Sequence, residues 1–69
     1  MRAVQTYKME QKEGDAFYSK TEDRIGLFHQ WGTDYEEFSD SAGLYSTAII
    51  ELATGEIITP PADMIKFLD

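Results

Sequence analysis

The most constraining feature of the sequence is a pair of β-rich segments joined by a short turn. Isoleucine and threonine recur in residues 45–52 and 56–59, and Ala53, Thr54 and Gly55 lie between the two segments. β-Branched side chains favour strands, and glycine supplies the positive φ that tight hairpin turns require. The pattern predicts a β-hairpin around which the rest of the fold must be built.

This hairpin is apolar on both of its faces. With residues 54–55 as the central pair of the turn, Leu52 faces Ile57 and Glu51 faces Ile58. Strands that are apolar on both faces are typical of a sheet that curls into a small barrel, or of a face that a partner covers. A homo-oligomer formed through Ile49 and Ile58 is therefore one expectation. In this register one face holds Ala48, Ile50, Leu52 and Ile57, and the other holds Ile49, Glu51 and Ile58.

Three more segments have the character of strands. Residues 4–9 form a short β-rich run, and residues 24–31 form a second one that ends at Gly32. Residues 65–67 alternate as a final short strand, after two prolines and a tight turn at residues 62–64. The alternative at this end is a terminal helix with Met64, Phe67 and Leu68 on one face. In the second run the side chains that recur at a spacing of two are Ile25, Leu27, His29 and Trp31.

Two polar regions separate these strands. Residues 16–19 are predicted to be a short extended piece within a long loop. Residues 33–42 alternate aromatic and acidic side chains, which predicts an acidic loop with a single helical turn capped by Thr33 or Asp34.

Length and charge limit the class of protein. A chain of 69 residues supports one core, so residues 1–69 are expected to form a single domain. No segment has signal-peptide character or the ~20 apolar residues of a membrane span, and there is no cysteine. A cytoplasmic protein that does not bind membranes is expected. The net charge of −7, from 13 acidic and 6 basic residues, disfavours direct binding of nucleic acid.

The order of these elements resembles that of SH3-like barrels. The segments that carry the likeness are residues 48–61, with their hairpin and two prolines, and residues 65–68. The resemblance implies a mainly β fold, a small five-stranded barrel. Peptide-binding SH3 domains also have a tyrosine-rich motif, a later tryptophan and a Pro-Tyr pair, whereas here Trp31 lies too early and Ala62 follows Pro61. The resemblance therefore does not extend to polyproline recognition.

A second resemblance concerns residues 26–32, Gly-Leu-Phe-His-Gln-Trp-Gly. Together with the size and acidity of the chain, this segment looks similar to small proteins of bacteriophages and prophages. The resemblance implies an accessory protein directed at a host or viral protein.

The residue types needed for catalysis and metal binding are scarce. The chain has a single histidine, His29, and no cysteine, and no serine has a spacing to His29 that selects it as a nucleophile. Residues 34–40 carry alternating carboxylates, but they lack the glycine and the distal glutamate of a calcium-binding EF-hand loop. We therefore expect neither an enzyme nor a cofactor or metal site.

The segment richest in potential contacts is residues 28–38, where aromatic and ionisable side chains alternate. Tryptophan and tyrosine often anchor protein interfaces, and carboxylates at the rim favour a basic partner. Trp31 and Phe38 have an alternative role as core residues. The expected function is binding of a protein partner. The candidate binding residues are Phe28, His29, Trp31, Asp34, Tyr35, Glu36, Glu37 and Asp40.

Two other functions fit the same composition. A self-associating structural subunit would use the second apolar face of the hairpin. An acidic mimic of nucleic acid would occupy the DNA-binding surface of another protein, and salt would weaken its binding.

Overall fold

The structure is a computed structural model that describes residues 1–11, 13–14, 16–37 and 42–69, and the side chains of residues 37 and 42 are not part of that description. One antiparallel sheet contains all five of the strands in these ranges, in the order β4-β3-β2-β1-β5. The mainly β prediction is confirmed. The strands are β1 (Arg2–Gln11), β2 (Tyr18–Glu37), β3 (Ala42–Leu52), β4 (Ile57–Ile58) and β5 (Ile65–Phe67).

Strand β2 is much longer than the sequence predicts. It starts at Tyr18, inside the predicted long loop, and continues through Gly32 to Glu37. The predicted acidic loop is therefore wrong for residues 33–37, which pair with β3 from Thr33 opposite Ser46 to Glu37 opposite Ala42. A complete ladder of partners stabilises strand geometry even in an acidic segment. The rest of that prediction, at residues 38–41, lies outside the described residues.

The β3–β4 hairpin is confirmed, but its turn is one residue longer than predicted. The Gly55 amide donates to the Leu52 carbonyl at 2.8 Å, and the Leu52 amide donates to the Glu56 carbonyl at 2.9 Å. Gly55 has a φ of +90°, as expected for the glycine that ends a three-residue hairpin loop. Such a loop shifts the pairing of the two strands by one residue.

This shift reverses the faces of the two isoleucines in β4. Ile57 lies opposite Glu51, and Ile58 lies opposite Ile50, so the predicted pairing is wrong. Ile58 consequently packs against the core cluster, whereas Ile57 is 53% exposed. The second apolar face of this hairpin therefore presents Ile57 in place of Ile58.

A β-bulge in β2 changes the direction of the side chains that follow it. Phe28 pairs with Ile50 and Gln30 pairs with Ile49, so His29 is an additional residue without an opposite partner. Alternation along the strand then places Phe28 and Trp31 on the same face. The regular spacing of two that the sequence predicts between residues 25 and 31 does not hold beyond Leu27.

The core lies on the face of the sheet that Phe28 occupies. Val4, Ala48 and Ile50 are completely buried and Leu52 nearly so. Side chains from β1, β3 and the surrounding strands meet here, which joins both halves of the chain in one cluster. The partly buried residues packed against it are Phe28, Ile58, Ile65 and Phe67.

The carboxyl-terminal segment has the predicted turn and final strand, so the alternative of a terminal helix is wrong. Ala62–Met64 form one turn of 3-10 helix before β5. Pairing with β3 continues past β4, because the Ala48 amide donates to the Pro60 carbonyl at 2.9 Å and Thr47 bridges Pro61. These contacts place the 3-10 turn beside the first half of β3.

Candidate functional site

We call the regular ladder between residues 30–37 of β2 and residues 42–49 of β3 the ribbon. The predicted binding residues lie on two faces of the ribbon. No register shift occurs between Gln30 and Glu37, so successive side chains point to opposite faces. Trp31 and Tyr35 lie on the face of the core, whereas Asp34 and Glu36 lie on the other face. A single patch with an aromatic centre and these two carboxylates at its rim is therefore not formed. Asp40 lies outside the described residues.

His29 lies with neither the aromatic nor the acidic residues of the ribbon. Its Nε2 atom is hydrogen bonded to Oε1 of Glu51 at 2.8 Å. Glu51 is on β3, near the turn to β4, and lies opposite Leu27. The bulge thus directs His29 toward the hairpin end of the sheet, away from Tyr35.

The aromatic face contains a cluster of three rings. The centroid of Phe28 is 4.8 Å from that of Trp31 and 5.1 Å from that of Phe67, both in edge-to-face geometry. Trp31 is nevertheless 52% exposed. Its indole covers the edge of the core and has a large solvent-facing surface, so it combines the two roles that the sequence leaves open.

An ion pair covers the cluster from the side. The guanidinium of Arg2 lies 3.7 Å from the centroid of the Phe67 ring, and it donates to both carboxylate oxygens of Asp69 at 2.7 and 2.8 Å. The hydrogen bonds to Arg2 hold the pKa of Asp69 below its ordinary value, and those to Asp69 raise the pKa of Arg2. The sequence does not indicate this arrangement, since it depends on the pairing of the two ends of the chain.

Replacement of Trp31 with alanine is expected to destabilise the fold by about 1–2 kcal/mol, because edge-to-face ring pairs contribute about 0.5–1.5 kcal/mol each. Tyr35 is 57% exposed, and no ring contact is found for it within the described residues. Tyr35→Ala, the matched control, should cost less than about 0.5 kcal/mol. Urea unfolding measures both changes. Equal losses for the two variants would show that the Trp31 cluster has no structural role.

The opposite face of the ribbon borders a groove of about 600 Å³. Its walls are the ribbon on one side and the 3-10 turn on the other. Glu36 belongs to the wall formed by the ribbon and Asp63 to the wall formed by the turn, so each wall contributes one acidic residue, and Tyr45 and Pro61 contribute apolar surface. None of the lining residues is basic. The groove is lined by Glu36, Tyr45, Ser46, Pro61, Ala62 and Asp63.

The electrostatic environment of the groove is negative. The Tyr45 hydroxyl donates to Oδ2 of Asp34 at 3.4 Å. Desolvation raises the pKa of Tyr45, and the nearby charges of Asp34 and Glu36 raise it further. In the described ranges, no salt bridge involves Asp34, Glu36 or Asp63. Their charge is available to an external cation.

One lysine of the chain already contacts the 3-10 turn. The ammonium of Lys20 donates to the backbone carbonyl of Asp63 at 2.6 Å and lies 4.9 Å from the centre of the Tyr7 ring. The Asp63 carboxylate itself is in no salt bridge among the described residues. The Lys20 contact illustrates how an ammonium group is accommodated here, by an oxygen acceptor and an aromatic face together.

The sequence identifies the acidic residues of the ribbon but not the groove. Tyr45, Pro61 and Asp63 are absent from the predicted site, because their proximity depends on the pairing of Thr47 with Pro61. The two consecutive prolines predict extended backbone at this point, but not which strand it lies against.

Within the described ranges, no three histidine or carboxylate side chains are close enough together to hold a metal ion. The same part of the chain contains no helix with the length and apolar character needed to cross a membrane. Comparison with protein-family models, curated proteins and solved structures finds no match.

Proposed function

We propose that this chain is a non-enzymatic protein-binding module that takes a basic segment of a partner protein into the acidic groove. The observation that carries the proposal is the position of Glu36 and Asp63 on opposite walls of one concave site. Neither carboxylate has an ion-pair partner among the described residues. An arginine or lysine side chain of the partner supplies the missing cation.

The walls of the groove suit the long stems of these side chains. Arginine and lysine bury their methylene groups along apolar surface while the charged end contacts acceptors. Tyr45 and Pro61 provide that surface, and Glu36 and Asp63 provide the acceptors. Glu36 and Asp63 are exposed, and exposed ion pairs contribute about 0.2–1 kcal/mol each, so two of them together give the site a preference of up to about 2 kcal/mol for a cationic side chain.

We also propose that the sheet curls into an SH3-like barrel. The strand order β4-β3-β2-β1-β5 and the 3-10 turn before β5 support this, as does the continued pairing of β3 with Pro60 and Pro61. In such a fold the 3-10 turn and the β2–β3 ribbon lie next to each other, which is where the groove is located.

Binding of short basic peptides tests the proposal. Hexa-arginine and hexalysine should bind, and hexaglutamine should not. The double variant Glu36→Gln, Asp63→Asn should weaken binding at least tenfold, because it removes both acceptors. The control is Glu13→Gln, Glu22→Gln, which changes the net charge by the same amount at exposed positions outside the groove. Its affinity should fall less than about twofold. Isothermal titration calorimetry measures all of these affinities.

Equal weakening by the two double variants would contradict the proposal, because it would mean that the peptides respond only to net charge. Binding of hexaglutamine as tightly as hexa-arginine would contradict it as well. Far-UV circular dichroism on each variant excludes loss of folding as the cause.

A further inference from the structure

A row of apolar side chains crosses the sheet at the end opposite the ribbon. Ala3 lies opposite Leu27, Leu27 opposite Glu51, and Glu51 opposite Ile57. The Leu68 amide donates to the Ala3 carbonyl at 3.0 Å, which adds Leu68 at the edge. We call Ala3, Ile25, Leu27, Ile57 and Leu68 the apolar row. Its large members are well exposed: Ile25 60%, Leu27 41%, Ile57 53% and Leu68 47%.

The carboxylates beside the apolar row are paired with basic side chains, whereas Lys66, opposite Gln5 at the edge of the same face, is in no salt bridge among the described residues. Glu51 is bonded to His29 at 2.8 Å, and Glu56 contacts the Arg24 guanidinium at 3.3 Å. Arg24 also lies 3.8 Å from Asp23. In a protein with a net charge of −7, this end of the sheet has its carboxylates matched with partners. The groove is the opposite case, with carboxylates that have no such partners.

We infer that a second copy of this chain covers the apolar row. A strongly basic partner gains little from a face whose carboxylates are already paired, and a strongly acidic partner meets a single lysine, Lys66. An identical row buries apolar surface against apolar surface. In a two-fold symmetric contact the same patch serves both copies. The hydrogen bond between Glu51 and His29 reduces the cost of removing that carboxylate from water. This site is distinct from the proposed groove.

The size and charge of the protein are compatible with this contact. A standard interface takes about 800 Å² from each partner, roughly one sixth of the 5160 Å² surface. The groove carboxylates do not prevent the approach. Tyr45 and Glu51 are six residues apart on β3, which is about 20 Å of strand. Physiological salt screens charges beyond about 8 Å, so the negative ends of two copies repel each other only weakly.

Sedimentation velocity over a concentration series up to about 1 mM tests the inference. In 0.15 M salt the mass should rise from 7.9 kDa toward twice that value. Leu27→Lys and Ile57→Lys should each weaken the dimer at least tenfold, since each puts a lysine of one copy against apolar surface of the other. Both side chains are about half exposed, so each variant should remain folded, which far-UV circular dichroism checks. Leu44→Lys is the matched control: Leu44 is 74% exposed and lies on the ribbon, on the face of Trp31.

A parent protein that is monomeric throughout the series would overturn the inference. A dimer that survives Leu27→Lys and Ile57→Lys would also overturn it, and so would one that Leu44→Lys disrupts equally. Salt separates this contact from the groove. Raising the salt concentration should strengthen the dimer by screening the like charges, whereas it should weaken the binding of hexa-arginine.

Discussion

Replacement of Gly26 with alanine is expected to destabilise the protein by about 3 kcal/mol. A Cβ atom at this position would lie 2.5 Å from Cγ2 of Ile50 and 2.8 Å from the Glu51 carbonyl oxygen. Real Cβ atoms do not approach other atoms so closely, and Ile50 is completely buried. Either the core side chain or the backbone of β3 has to move.

This loss is a large share of the total, because a chain of 69 residues has a free energy of unfolding of roughly 3–10 kcal/mol. Gly43→Ala is the matched control, since a Cβ there meets nothing within 4 Å. That variant should unfold within about 0.5 kcal/mol of the parent in urea. A Gly26→Ala protein as stable as Gly43→Ala would show that β2 and β3 are not in contact at this point.

Truncation of Ile50 to alanine is expected to cost about 3–4 kcal/mol, within the range typical of buried isoleucines. Ile50 is completely buried in the core cluster, together with Val4, Ala48 and Leu52. Ile57→Ala is the control in the same hairpin, and its 53% exposure should limit the loss to about 1 kcal/mol. If the predicted register were the real one, Ile57 would be a core residue and the two losses would be similar. Urea unfolding of both variants therefore tests the hairpin register.

The effects of Gly26→Ala and Ile50→Ala on stability are not expected to be additive. Ile50→Ala removes the Cγ2 atom that obstructs a Cβ at Gly26. The double variant should therefore lose less stability than the sum of the single losses, by about 1 kcal/mol. Strict additivity in a double-mutant cycle would contradict the close contact between these residues.

The elements that could be predicted from the sequence are those set by local patterns. The β3–β4 hairpin, the first strand and the turn before β5 each follow from β-branched residues, glycine or proline in adjacent positions. These signals act over a few residues, and the elements that they predict are present in the structure. The core residues of β3, Ala48, Ile50 and Leu52, follow from the same alternation.

The errors have a different origin, because each depends on contacts between distant segments. One additional residue in the hairpin loop exchanges the faces of Ile57 and Ile58, and the sequence Ala-Thr-Gly is compatible with either loop length. The bulge at His29 and the extension of β2 to Glu37 are set by pairing with β3. Taken without its partner strand, the acidic segment at residues 33–37 has the composition of a loop.

The candidate site was predictable only in part, because one wall of the groove is visible in local sequence and the other depends on a long-range contact. Its negative charge is visible in Asp34 and Glu36, and a basic protein partner remains the proposal. The opposite wall could not be predicted, since Pro61 and Asp63 reach the ribbon only through the bridge to Thr47. The predicted aromatic centre faces the other way, and half of the Trp31 surface is used in packing against Phe28 and Phe67.

The central claim is that a cationic side chain binds in the acidic groove, and chemical-shift mapping tests it most directly. Hexa-arginine is titrated into ¹⁵N-labelled protein. The protein concentration is low enough for the parent to be monomeric, like the Leu27→Lys variant. We expect the amide signals of Tyr45, Ser46, Ala62 and Asp63 to shift in a saturable manner, while those of Leu27 and Ile57 remain in place. Saturable shifts confined to Trp31, Tyr35 and Leu44, or shifts spread evenly over the acidic surface, would contradict the claim.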